Sequence, residues 1–185
     1  HHRIRAGTDE VEFRIEASHA ARTRSVAHWA QVCPRLGRFA GFDDAGPDLN
    51  DYLPKCFIVL DGAITRLPTP QWATEARYTP GQVWRPRHVP VEDVNPRPLN
   101  PRLAEMGLIG CFRADERAIW ATAWEPYQEL FQGVARCLHA DIRLGGLQPG
   151  ERCRIRGKMY VVPADPDELL RRYRADFPEH AEGAR

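Results

Sequence analysis

Three groups of residues in this sequence carry side chains suited to chemistry. The first is the triplet His139-Ala140-Asp141. On a strand, residues two apart point to the same side, so this imidazole and carboxylate would converge on one point. With a second histidine they would form the facial triad that holds a divalent transition metal. His28 and His88 are the candidates for that second ligand. The one downstream histidine, His180, follows Pro178 in a stretch expected to fray. The H-x-H pattern with a later Glu that marks cupin metal sites does not occur. The competing expectation is that His139 is an ordinary hydrogen-bonded strand residue, so a metal cofactor stays open.

The second group is Glu125-Pro126-Tyr127-Gln128-Glu129, read as part of an insertion over residues 124–133. Pro126 restricts the backbone on both sides, so Glu125 is presented in a defined direction. Glu125 or Glu129 beside His139 would make an acid–base pair for proton transfer. A carboxylate pair for glycoside cleavage would need a separation of about 5 to 9.5 Å. The alternative is a surface loop whose aromatics pin it down. The third group is aromatic: Trp29, Trp72, Trp84, Trp120, Trp124 and Tyr127. Indole and phenol rings stack on the C–H faces of sugars, and Gln128, Arg136 and Asn95 could bond hydroxyls. Trp120 and Trp124 share a strand face and read as core. Trp72 and Trp84 sit among prolines and are expected to be exposed. No nucleophile elbow, phosphate loop or dinucleotide fingerprint occurs.

The five cysteines are Cys33, Cys56, Cys111, Cys137 and Cys153. Their number is odd, none forms C-x-x-C, and each lies in or beside an apolar run. They read as small reduced residues, with spacing that suits neither a disulfide framework nor a zinc knuckle. Localisation stays open, with a lean towards a reducing compartment. The start, His1-His2, fits a tag remnant, an internal cut, or a processed terminus whose amine and imidazole could chelate copper.

The elements that must position these groups read as β. The 185 residues, 43% of them hydrophobic, can bury the core of one domain. Sixteen Pro and fourteen Gly fall between short apolar runs, a pattern of strands and turns. Net charge is +1, from 26 basic and 25 acidic residues, so no nucleic-acid or membrane partner is expected. No apolar run approaches the roughly 18 residues needed to span a bilayer.

Residues 11–17 alternate with period two, as a half-buried strand does. Residues 27–33 read as a second strand, and 56–60 as a buried one. Asp61-Gly62 then gives a hairpin turn into 63–67. Residues 68–102, rich in proline, read as a long ordered loop over one face or mouth of the fold. Residues 108–114 and 118–124 form a hairpin. The chain returns as 134–141 and 152–162, with turns at Gly145-Gly146 and Pro149-Gly150. Asp165 caps a helix over 166–177, with Leu169, Leu170, Tyr173 and Phe177 on one face. Residues 179–185 form a tail.

The run ATAWEPYQELFQGVARCLHADIRLGGLQPGE, followed by RGKMYVV, resembles uncharacterised bacterial β-sandwich proteins of the galactose-mutarotase-like, carbohydrate-active type. Asp61-Gly62 and Asp93-Val94-Asn95-Pro96-Arg97 fit the same pattern. The resemblance covers the last two-fifths of the chain. It implies a sugar-related context and supplies no catalytic residues.

The expectation is therefore an all-β fold over residues 1–185. It is an antiparallel β-sandwich (strands and loops over 3–162) with a long Pro-rich loop and a short C-terminal helix. The leading function is carbohydrate recognition or processing, alone or within a larger protein. Catalysis is expected at Glu125, Glu129 and His139, and ligand binding at Trp72, Trp84, Tyr127, Gln128 and Arg136. The first alternative is a small metal-dependent enzyme using His139 with His28, His88 or Asp141. The second is an accessory domain without a small-molecule site. The oligomeric state stays open.

Overall fold

Continuous apolar runs make strands here because both of their faces are covered. In the computed structural model, β4 (Cys56–Leu60) and β6 (Leu108–Phe112) are buried at every position. The structure describes residues 1–26, 28–36, 41–42, 52–67, 82–94, 99–133 and 137–181. Among these, the remaining strands are β1 (His2–Ala6), β2 (Glu10–Ser18), β3 (Trp29–Ala30), β5 (Ala63–Arg66), β7 (Ala118–Glu125), β8 (Tyr127–Gly133), β9 (Cys137–Arg143) and β10 (Arg152–Pro163). Two helices follow, α1 (Pro166–Asp176) and α2 (Pro178–Ala181).

The strands form an antiparallel β-sandwich. A seven-stranded sheet has the order β1-β2-β10-β7-β6-β4-β5, and a three-stranded sheet has the order β3-β9-β8. Alternation along the central strands feeds two cores. Ile58, Ile109, Trp120 and Trp124 meet Leu130, Leu138 and Ala140 of the small sheet. Phe57, Leu108, Ile119 and Tyr160 face the other way, onto Leu169, Leu170, Tyr173 and Phe177. The apolar stripe of α1 thus packs on the outer face of the seven-stranded sheet, over residues of β4, β6, β7 and β10.

Two local signals work as read. Asp61 and Gly62 take φ of 52° and 75°, the left-handed pair that a two-residue hairpin loop demands. Asp165 accepts the backbone N–H of Glu168 at 3.0 Å, with Pro166 opening α1. Gly157 is required for a different reason. A Cβ there would lie 2.4 Å from Cε3 of Trp124, so its absence lets the indole lie flat against β10.

Several expectations are corrected. Residues 125–133, read as an insertion, contain the fully buried strand β8. Its polar residues disguised it, because their partners lie far away in sequence. The strand expected over 27–33 shortens to Trp29–Ala30. Residues 179–181, read as the start of a frayed tail, belong to α2. His180 stacks there on Phe177 with ring centroids 5.9 Å apart. Trp84 is 3% exposed, not solvent-facing. Its N–H donates to Leu130 O at 3.0 Å, and its carbonyl accepts from Leu130 N at 2.8 Å. The Pro-rich segment therefore touches the outer edge of the small sheet through this bridge. Trp72, Asn95 and Arg136 lie outside the described residues.

Candidate active site

Glu125 ends β7, and the Glu125–Pro126 peptide is cis. Its carboxylate meets His180 Nε2. The other ring nitrogen of His180, Nδ1, meets the Tyr173 hydroxyl, which also takes the buried Gly107 N–H at 2.9 Å. A backbone N–H can only donate. The Tyr173 oxygen therefore accepts there, and its own proton is free for Nδ1. This assigns the Nε2 proton of neutral His180 to the Glu125 carboxylate.

Glu125 and His180 line a cleft of about 350 Å³ between the Pro-rich segment, the start of β8 and α2, and Tyr173 lies buried behind His180. The rim of the cleft carries Arg87, His88, Glu105 and Glu179. Arg85 donates to the carbonyls of Pro86 at 3.2 Å and Val89 at 2.7 Å, clamping the turn that presents His88. Tyr127 forms one wall. Its ring centroid lies 6.2 Å from that of His88 and 5.5 Å from that of His180, both edge-on. Its hydroxyl donates to Ala104 O at 2.9 Å.

Partial burial holds the His88 imidazole below its ordinary 6.5, against the opposing pull of Glu125. His88 is therefore neutral at pH 7 and can accept a proton. Burial pushes the phenols of Tyr127 and Tyr173 up, so both remain hydroxyl donors. Glu125, Glu179 and His180 also present donor atoms within 4.8 Å of one another. Glu179 is already paired with Arg156, which weakens the case for a cation at that point.

Of the residues expected to act together, the structure brings some into contact and separates others. Glu125 pairs with His180, not with His139. Glu129 is fully buried on β8, in register with Asp141. His139 and Asp141 do meet, Nδ1 to Oδ1 at 3.1 Å. Neither His28 nor His88 joins them in a cluster of three ligand atoms among the described residues. His28 lies 3.7 Å from Asp93, and His88 rims the cleft. Gln128 is fully buried, with its amide engaged by Arg143 (2.9 Å) and by the Asp93 carbonyl (2.9 Å). Arg143 also pairs with Asp93 at 2.6 Å.

The sequence alone placed His180 in a fraying tail and gave no role to Glu105, Glu179 or Arg87, all of which line the cleft. A signal for His180 existed, because Tyr173, Phe177 and His180 continue one helical stripe (i, i+4, i+7).

No family model matches the chain, and no curated protein matches it. Among solved structures, it is similar to a protein of Escherichia coli K12 described, provisionally, as an aldose 1-epimerase. The similarity covers 86% of this chain and 58% of that one, at 10% identity and a TM-score of 0.42.

Proposed function

We propose that the cleft around Glu125 binds and processes a carbohydrate. Glu125 accepts and returns a proton at a sugar carbon or ring oxygen, and His88 serves as its neutral partner across the cleft. The observation that carries this reading is the setting of Glu125 between two imidazoles, one bonded to it and one on the rim. Acid–base chemistry needs such groups close together in different protonation states. The volume supports a small ligand, since it falls near the lower end of the about 300–1,000 Å³ typical of ligand sites. Arg87, Glu105 and Glu179 offer both hydrogen-bond donors and acceptors for ring hydroxyls.

The test uses saturation-transfer NMR with a panel of mono- and disaccharides, and polarimetry of anomer interconversion on those that bind. Glu125→Gln keeps the shape and removes the titrating group. Binding retained with turnover lost is the expected result. No saturation transfer from any sugar would overturn the reading and leave an accessory domain in its place.

A further inference from the structure

On β9, alternation sends Leu138, Ala140 and Ile142 into the core between the sheets. Cys137, His139 and Asp141 therefore share the opposite face. Cys33, just beyond β3, lies over that face. The Sγ atoms of Cys33 and Cys137 and a ring nitrogen of His139 all fall within 4.8 Å of one another. From this we propose a thiophilic metal site, ligated by Cys33, Cys137 and His139, that binds zinc(II) at the surface of the small sheet.

The geometry suits that ion. Cys137 Sγ stands 3.5 Å from His139 Nε2. Zinc bonds of about 2.3 Å to sulfur and about 2.05 Å to nitrogen, at a tetrahedral angle, set the two ligand atoms about 3.6 Å apart. The imidazole is held in the matching tautomer. Its Nδ1–H donates to Asp141 at 3.1 Å, which leaves the Nε2 lone pair directed at the cysteine side. A carboxylate behind the imidazole is the usual orienting partner of a ligating histidine.

The same Asp141 oxygen accepts the Val32 N–H at 2.9 Å, pinning the residue next to Cys33. Leu138 N–H to Pro34 O (3.2 Å) and the Arg35–Cys137 bridge hold the other side of that segment. Gly133 provides room, for a Cβ there would lie 2.2 Å from Cys137 Sγ and 3.2 Å from His139 Nε2. Cys137 and His139 are buried, whereas Cys33 is exposed. The ion can thus enter from solvent, and its fourth position is left for water.

The experiment uses the full chain, stripped of metal, reduced with a phosphine and titrated with cobalt(II) as the probe. The expected result is a near-ultraviolet thiolate-to-cobalt charge-transfer band that saturates at one equivalent and is displaced by zinc. Cys33→Ser, at an exposed position that does not disturb the core, should cut the band to about half and weaken binding. Asp141→Asn should weaken binding by about 10- to 100-fold, and Cys153→Ser should change nothing. A missing band, or one unaltered in Cys33→Ser and His139→Ala, overturns the proposal. A Cys33–Cys137 disulfide that gives no cobalt band after reduction overturns it equally.

Discussion

Tyr173→Phe removes one buried oxygen, shared by His180 and Gly107 behind the cleft, and leaves the apolar contacts of the ring in place. The cost can be worked from the bonds that end there. Tyr173 is fully buried, and so is Gly107, whose N–H donates to that oxygen. A buried donor left without a partner costs about 1–3 kcal/mol. His180 Nδ1 loses its donor as well, but the ring can turn towards the cleft and recover a water. The expected loss is about 2 kcal/mol, set mainly by the orphaned N–H. For a chain of this length that lowers the melting temperature by about 4–8 °C. Urea unfolding should show a lower midpoint with an unchanged slope, because the surface exposed on unfolding is the same.

Tyr127→Phe provides the comparison. It frees only the Ala104 carbonyl, which adapts more readily than an N–H, and should cost about 1 kcal/mol. Nitrogen-15 NMR of the histidine rings gives the local readout. In the parent protein His180 should carry its proton on Nε2, and in Tyr173→Phe that preference should weaken. A stability loss below about 0.5 kcal/mol, or an unaltered His180 tautomer, would refute the hydrogen-bond relay.

Gly157→Ala drives a Cβ into the Trp124 indole, whose Nε1 is tied to Thr122 at 3.0 Å. The ring cannot slide away, so the loss should approach the upper part of the about 1–3 kcal/mol range for overpacking, read by urea denaturation. Asp165→Ala should cost about 1 kcal/mol through the lost cap of α1, seen as lower thermal stability. Acid should weaken the grip of α1 on β2. Arg172 holds Asp9 below its ordinary 3.8, and Lys158 chiefly holds Glu10 below 4.5. The unfolded chain therefore takes up protons first as pH falls. This contribution is complete above about pH 4.5 and disappears through the depressed values below it. Stability measured against pH should show a shallower acid limb in Arg172→Met, and an unchanged limb would count against the network.

The legible part of this protein was whatever depends on neighbours in the chain. The Cys56–Leu60 run, the Asp61-Gly62 turn, the hairpin around residues 115–117 and the capped helix after Asp165 are all local consequences of side-chain period and backbone preference. So was the shared face of His139 and Asp141, which strand alternation alone determines. The sandwich class followed from these runs and the turns between them.

Only the tertiary structure decided the partners. Strand β8 looked like a polar insertion because Gln128 finds Arg143 and Asp93 at long range, and no local signal reports such pairing. Glu125 was read beside His139, but the imidazole it meets is His180, delivered by the short helix α2. Cys33 reaches Cys137 through the pairing of β3 with β9. A histidine or a cysteine becomes a site through what lies within about 4 Å of it. That distance depends on how the two sheets and the helix stack, which no short stretch of sequence contains.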